Sequence, residues 1–398
     1  MSERETPQVM VHDRSTYTVG TLHQSVSREE AVARFFDLLA AHSDRIDDTK
    51  RRVDQVYRFE TPDRPVFQFD VTGFDYQRAR WVQSDLDALL DSQLQSHVFK
   101  LESMPESDFV PLLHPGIGAS DLIPRMYGVT FDYPPDGSVI QKFNLIESLP
   151  RDLKKLEGVD VTGSEAWRDV VRRVSFLFEA TQGRIQIACP QMQGPLTNAP
   201  RLMDHTEMLM ACHTDPDSMR VLADTWSDVA SRLILALQQI VGDPELLRPR
   251  QRFYQPSWVR GLIVGDYLAI MNPQQYRCIC ENAWQMLVRR VGPIFYHTCG
   301  PIWRSLDVLK ALPGLAGLET SYVRGQTKTT ADLAAIKNRL GGEIVLNSFE
   351  WPLGGAVQDE GNLTAAWLRN MSQDGGFMMQ CRGTAEQGRA LFAKVELL

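Results

Sequence analysis

His297 and Cys299 stand two residues apart in the segment IFYHTCG, residues 294–300, at the end of an apolar run. Side chains at positions i and i+2 of a β-strand point to the same side, so we expect this imidazole and this thiol to lie together. Imidazole nitrogen and thiolate sulfur are good zinc ligands. A single His-x-Cys pair of residues also fits an ordinary core strand. The interpretation as a metal site therefore needs further ligands.

Three more residues at the ends of apolar segments are candidates for the same site. Cys381 ends the segment GGFMMQC and supplies a third zinc ligand if that segment is a strand ending at the same rim. Glu319 is a candidate fourth ligand, a carboxylate that holds a ligand in place, or a solvated charge. Asp266 follows the segment GLIVG and is a candidate to bind or polarise a substrate, with helix capping as the alternative. We predict Asp266 and Glu319 as catalytic groups.

Two further cysteines are predicted to be packing residues. Cys278 and Cys280 fall inside a helical pattern, where positions i and i+2 do not share a face, so we interpret them as packing residues. Six cysteines in 398 residues are too few for a disulfide framework, which predicts free thiols or metal ligands.

Short apolar segments alternate with long helical patterns along the chain, which is typical of βα units and a parallel sheet. Eight segments are strand candidates, at residues 65–70, 109–113, 184–189, 261–266, 293–299, 315–320, 343–348 and 377–381. Residues 164–180 and 217–242 are the clearest helices between them. Eight strands close a (β/α)8 barrel, whose active site lies at the carboxyl ends of the strands. The sequence therefore predicts an α/β fold of the (β/α)8 TIM-barrel type.

Two regions lie outside the predicted barrel repeat. Residues 1–60 precede the first strand and contain a capping-box motif, SREE, before a helical pattern, so we predict an N-terminal helical extension. Residues 61–398 are the predicted barrel. Residues 114–163 are rich in Pro and Gly and are too long for an ordinary connection after strand 2, which predicts an insertion that carries binding function or a lid.

Composition limits the classes of partner. The net charge of −8 argues against a broad nucleic-acid or anionic-membrane surface, so small molecules or proteins are the expected partners. The N-terminus is polar, and no apolar run reaches the roughly 18–20 residues of a spanning helix. We expect a cytoplasmic protein. The sequence has no G-x-G-x-x-G, P-loop or G-x-S-x-G motif to suggest dinucleotide, ATP or serine-hydrolase chemistry.

Three segments resemble the uroporphyrinogen decarboxylase superfamily, whose fold is a distorted (β/α)8 barrel. They are QGPLTNA at 193–199, GDYLAIMNPQQY at 265–276 and FYHTCGPIWRSLDVLKALPGLAGLET at 295–320, and the likeness covers about residues 60–395. The decarboxylases carry substrate-binding arginines after the first strand. Asp70 and Phe74 stand at those positions here, so the resemblance implies that uroporphyrinogen is not the substrate.

The other branch of this superfamily contains cobalamin-dependent methyltransferases, such as those that act on methylcobalamin and coenzyme M. They bind zinc through an H-x-C pair and a cysteine on the last strand, a pattern that His297, Cys299 and Cys381 match. The resemblance implies zinc-dependent movement of a methyl group between a corrinoid, or cobalamin, on a partner protein and a thiol or similar acceptor. It leaves the small-molecule donor or acceptor and the direction of transfer open.

Two alternatives also fit the sequence. The first is a lyase or decarboxylase of a small acid, with Asp266 or Glu319 as the acid–base group. The second is a noncatalytic protein that binds a corrinoid or tetrapyrrole.

Overall fold

A computed structural model describes residues 28–71, 85–117, 120–133, 140–249, 253–321, 329–352 and 364–396. Strands and helices alternate along these ranges. The strands are β1 (Val66–Val71), β2 (Leu112–Leu113), β3 (Phe131–Asp132), β4 (Ile140–Gln141), β5 (Gln186–Ala188), β6 (Leu247–Arg248), β7 (Gly261–Val264), β8 (Ile294–Thr298), β9 (Leu315–Ser321), β10 (Val345–Pro352) and β11 (Phe377–Gly383).

The helices between the strands range from 4 to 26 residues. The α-helices are α1 (Arg28–Ala41), α2 (Ser43–Tyr57), α3 (Leu86–Ser103), α4 (Leu122–Met126), α5 (Glu165–Ala180), α6 (Pro195–Asn198), α7 (His205–Thr214), α8 (Pro216–Val241), α9 (Pro273–Val291), α10 (Leu306–Lys310), α11 (Thr330–Leu340), α12 (Ala365–Ser372) and α13 (Ala385–Glu396). Short 3-10 helices cover Arg151–Lys155, Val161–Gly163, Ala199–Arg201, Pro244–Leu246 and Asp266–Ala269.

The strands form two parallel sheets and a small hairpin. The larger sheet has six strands in the order β1-β11-β10-β9-β8-β7, the smaller has the order β2-β5-β6, and β3 pairs antiparallel with β4. Every one of the eight predicted segments contains strand residues, and the predicted α/β class is confirmed. The sequence reasoning missed β6 and the hairpin.

The described residues do not show a closed barrel. The two parallel sheets are separate ladders, and backbone hydrogen bonds connect β1 and β7, the edge strands of the larger sheet, to residues that flank β2 and β5 of the smaller one. Asp108 N donates to Phe67 O at 3.1 Å on one side, and Gly194 N donates to Val264 O at 2.7 Å on the other. The eightfold closure of the barrel therefore stays a prediction.

Alternation along the strands separates two faces of the six-stranded sheet. One face carries a cluster that includes Val66, Phe295 and Met378 together with Tyr57 of α2, and we call it the inner face. The residues next to these in sequence belong to the larger core, which contains buried residues of α8 and α9, and we call that side the outer face. The side of the sheet on which a residue lies therefore follows from its place in the alternation.

The predicted helices have the expected ends. The Ser164 hydroxyl accepts a hydrogen bond from Trp167 N at the start of α5, and Asp215 caps α8, which ends at Gly242 with φ of 69°. These caps are typical of helix termini. Both predicted helices, 164–180 and 217–242, are confirmed within a residue or two at each end.

The predicted extension and insertion contain regular structure. Helices α1 and α2 lie in the range predicted as the N-terminal extension, and Ser27 of the capping box lies outside the described residues. The range 114–163 contains α4, the hairpin and two 3-10 helices. The boundary at residue 60 and the role of the insertion stay predictions. Among the described helices, none is long and apolar enough to cross a membrane.

Candidate metal centre

His297 lies on the inner face beside Glu319. The two residues are register partners on β8 and β9, and partners in a parallel sheet project to the same side. His297 Nδ1 lies 2.9 Å from Glu319 Oε2, and the Glu319 side chain is almost fully buried. The carboxylate therefore fixes the orientation of the imidazole ring.

Cys299 completes the contact that its spacing from His297 predicts. It follows the end of β8, and its Sγ lies 3.3 Å from His297 Nε2. The two ring nitrogens thus face a thiol on one side and a carboxylate on the other. The Phe349 ring, with its centroid 5.5 Å from that of His297, packs beside the imidazole. The ring is held from several sides.

Asp266 joins this pair from the turn after β7. Its Oδ1 accepts a hydrogen bond from Cys299 N at 2.9 Å, which places the carboxylate beside the thiol. One donor atom each from Asp266, His297 and Cys299 lie within 4.8 Å of one another. The sequence predicted Asp266 as a substrate-polarising residue, and the structure brings it together with the His297–Cys299 pair.

Two glycines allow the two loops of the site to approach each other. A Cβ atom added at Gly300 would lie 2.2 Å from the Ala269 Cβ, and one added at Gly265 would lie 1.8 Å from the Tyr296 hydroxyl. Neither distance is possible for a real side chain unless the neighbouring atoms shift. The glycines therefore permit the contact between the Asp266 turn and the end of β8.

Gly300→Ala should destabilise the protein by about 1–3 kcal/mol, because the added methyl group overpacks the contact with Ala269. Urea unfolding measures this loss. Gly300→Ala combined with Ala269→Gly removes the opposing methyl group and should recover most of the lost stability. Equal unfolding midpoints for the wild-type and Gly300→Ala proteins would contradict the observed approach of the two loops.

The donor set fits zinc. Zinc binds thiolate sulfur at about 2.3 Å and imidazole nitrogen at about 2.0–2.1 Å, so two such donors in a tetrahedral shell lie roughly 3.6 Å apart. The observed separation of His297 Nε2 and Cys299 Sγ is 3.3 Å. The other ring nitrogen contacts a carboxylate, which is one of the usual partners of the second nitrogen in a metal-bound histidine. Three protein donors leave one tetrahedral position for an exogenous ligand.

The charges around His297 also favour a cation. Burial lowers the pKa of His297, but the hydrogen bonds with Cys299 and Glu319 and the charges of these groups outweigh it and raise the pKa to about 10. Without a metal ion, the imidazole is therefore protonated at neutral pH and supplies the positive charge between these groups. A divalent cation would take over that role.

Comparison with known proteins adds a structural neighbour. No family model matches the chain, and no curated protein matches its sequence. A solved structure of a methyltransferase from Methanosarcina mazei superposes with a TM-score of 0.58 at 16% sequence identity, over 88% of this chain and 98% of the other. The chain shares its fold with that methyltransferase. At this identity the likeness concerns the fold.

Cys381 is not brought together with the other candidate ligands. In β11, Met378 belongs to the inner cluster, whereas Phe377, Met379 and Cys381 belong to the outer core. Cys381 is fully buried there, opposite Phe69 and Trp351 on the neighbouring strands. Burial raises the pKa of this thiol well above its usual range, so it stays protonated. Among the described residues, the group with donor atoms within 4.8 Å of one another consists of Asp266, His297 and Cys299, and Cys381 is not part of it.

The remaining cysteines are free thiols outside this group. Cys278 is exposed and Cys280 is buried on opposite sides of α9, as the helical pattern predicted. The buried Cys189 donates its backbone N–H to Arg248 O at 2.7 Å. Burial raises the pKa of the Cys189 thiol to about 12, so it is a poor nucleophile.

Of the two residues at the positions of the decarboxylase arginines, the structure describes only Asp70. Asp70 lies on β1, accepts a hydrogen bond from Gln380 Nε2 at 2.6 Å and forms an ion pair with Lys100. The carboxylate is thus occupied by partners in the protein. Phe74 lies outside the described residues.

Glu319→Gln should lower zinc affinity by about 10–100-fold, which is the usual cost of losing a carboxylate that orients a histidine ligand. Competition with a chromophoric chelator measures the change. The matched control is Glu343→Gln, the same substitution at an exposed position, which should bind zinc like the wild type. If both variants keep wild-type affinity, Glu319 does not orient a ligand.

Proposed function

We propose that this protein is a zinc-dependent methyltransferase that moves a methyl group between a corrinoid on a partner protein and a thiol or similar small acceptor. The observation that carries the proposal is the donor group of Asp266, His297 and Cys299 at the carboxyl ends of neighbouring strands. Active sites of parallel α/β folds lie at this edge. The shared fold with a methyltransferase supports the reaction class.

Each residue of the centre has a distinct role in this proposal. Asp266, His297 and Cys299 would hold a zinc ion, with negative charge from Cys299 and Asp266 and a neutral nitrogen donor from His297. Such an ion would supply the lowered pKa that an acceptor thiol needs, since a thiol is a poor nucleophile until its proton is lost. Glu319 holds the imidazole through Nδ1, so that Nε2 faces the other donors. Cys381 is left out of the donor set because its thiol belongs to the outer core.

We further propose that the two parallel sheets are arcs of one distorted barrel. The backbone hydrogen bonds at Asp108 and Gly194 connect both edge strands of the larger sheet to residues that flank β2 and β5, and they support this arrangement. The corrinoid-carrying partner would then cover the mouth beside Cys299, and the 114–163 insertion would form part of the wall around it.

Metal analysis and a corrinoid assay together test the proposed function. Protein purified without chelators should contain close to one zinc ion per chain. Methylcobalamin should lose its methyl group in the presence of one member of a panel of small thiols. The change in the visible absorbance of the corrinoid monitors this reaction. Protein without bound zinc, or with zinc but inactive with every thiol in both directions, would argue against the proposal.

A second candidate function rests on the order of the three side chains. Cys299, His297 and Glu319 form a nucleophile–base–carboxylate chain with contacts of 3.3 and 2.9 Å. That order is the arrangement of a cysteine nucleophile without a metal. Cys299 Sγ would attack an electrophilic carbon of an acyl or alkyl donor, while the leaving group departs with the bonding electrons and takes a proton from His297. A covalent adduct on Cys299, found by mass spectrometry and formed in the presence of a chelator, would favour this function over the zinc mechanism.

A further inference from the structure

The turn that carries Asp266 is held by hydrogen bonds on both sides of Gly265. Gly265 N donates to His297 O at 2.9 Å, which extends the β7–β8 ladder by one bond. Gly265 O accepts a hydrogen bond from the Tyr296 hydroxyl at 2.7 Å. The residue next to Asp266 therefore has both of its backbone polar groups fixed by residues of β8.

Tyr296 reaches this carbonyl from the opposite side of the sheet from His297. Its side chain is fully buried in the outer core, where the Trp284 ring packs edge-on at a centroid distance of 5.9 Å. The Tyr296 hydroxyl occupies the space that a Cβ at position 265 would need. Glycine at 265 and tyrosine at 296 are thus complementary parts of one contact.

The next contacts along the chain lead to the donor group. Asp266 follows Gly265 directly, and its Oδ1 accepts the Cys299 backbone N–H at 2.9 Å and lies 3.5 Å from the Thr298 hydroxyl. Both contacts depend on the position of the Gly265 peptide, at which the turn begins. A shift of the Gly265 peptide would carry the Asp266 carboxylate away from Cys299.

We propose that Tyr296 is a positioning residue for this centre: its hydroxyl fixes the Gly265 peptide, and the fixed turn holds the Asp266 carboxylate beside Cys299. The metal-binding part of this inference rests on the proposed function. The position of Asp266 relative to Cys299 can be tested without a metal ion.

Tyr296→Phe removes the hydroxyl and keeps the ring. Tyr127→Phe is the control, because Tyr127 also packs against the larger core but lies near Asp228 and Arg232 of α8, away from the Tyr296 hydroxyl. Two measurements are made on each variant. Hydrogen exchange of the Cys299 amide in metal-free protein reports its bond with Asp266, and chelator competition reports zinc affinity.

Tyr296→Phe should raise the exchange rate of the Cys299 amide by roughly threefold to tenfold, the change expected for one weakened hydrogen bond. Tyr127→Phe should leave it unchanged. Zinc affinity should also fall several-fold in Tyr296→Phe, and this fall should vanish in an Asp266→Ala background, because no donor is left to position.

Equal exchange of the Cys299 amide in the Tyr296→Phe and Tyr127→Phe proteins would overturn the positioning role. A fall in zinc affinity that persists in the Asp266→Ala background would overturn it as well, since the effect would then be general. If the wild-type protein binds no zinc, the proposed function fails, and the exchange measurement still decides whether Tyr296 places Asp266.

Discussion

Cys299→Ala should weaken zinc binding by more than about 100-fold, which exceeds the usual loss for a residue that only orients a ligand. The thiolate is the strongest donor of the group, and its removal also leaves Asp266 and His297 as an incomplete pair. Chelator competition measures the affinity. Cys278→Ala is the control, because Cys278 is exposed on α9 and contacts Arg220, away from the centre.

Cys381→Ala distinguishes the donor set seen in the structure from the one that the sequence pattern suggested. The thiol is buried in the outer core, so its loss should reduce the free energy of unfolding by about 1 kcal/mol or more and leave zinc affinity unchanged. If Cys381→Ala loses zinc as strongly as Cys299→Ala does, Cys381 is a ligand and Asp266 is not needed as the third donor.

His297→Ala should slow the transfer of methyl groups between methylcobalamin and the active thiol by about 1000-fold, which corresponds to roughly 4 kcal/mol of transition-state stabilisation. The substitution removes one donor and leaves the buried Glu319 carboxylate without its imidazole partner. The initial rate of the absorbance change at saturating zinc measures the effect. His213→Ala, at an exposed position of α7, should retain the wild-type rate. Equal rates for the two variants would show that His297 takes no part in the transfer.

The strands of the fold could be predicted because buried parallel strands are continuous apolar runs. All eight predicted segments contain strand residues in the structure. The strand β6 and the β3–β4 hairpin could not be found in this way, because their strands are two residues long and too short to have a pattern. How the two sheets connect depends on hydrogen bonds between an edge strand and an irregular segment, such as the one between Val264 of β7 and Gly194.

Cys381 shows that a position at the end of a strand does not determine the face of the sheet on which a side chain lies. The prediction used the position of Cys381 at the end of its segment, and a difference of one residue along a strand moves a side chain to the other face. The sequence did contain a signal, because Phe377, Met379 and Cys381 are the members of one alternation and Met378 and Gln380 of the other. Identifying which alternation faces inward requires the pairing with β1 and β10.

Asp266 could be identified as a residue near the site but not as a neighbour of Cys299. The contact is made through the Cys299 backbone amide, in a turn whose course depends on Gly265 and the Tyr296 hydroxyl. No periodic pattern of residues in the sequence indicates a backbone contact of this kind. The glycines next to both Asp266 and Cys299 were the only local sign that the two loops approach closely.

X-ray absorption at the zinc edge, with and without the candidate thiols, counts the sulfur ligands of the proposed centre. We expect one sulfur ligand from Cys299 together with nitrogen and oxygen ligands in the protein alone, and a second sulfur when the active thiol is added. Two sulfur ligands in the absence of thiol, or a coordination shell that no thiol changes, would contradict this expectation.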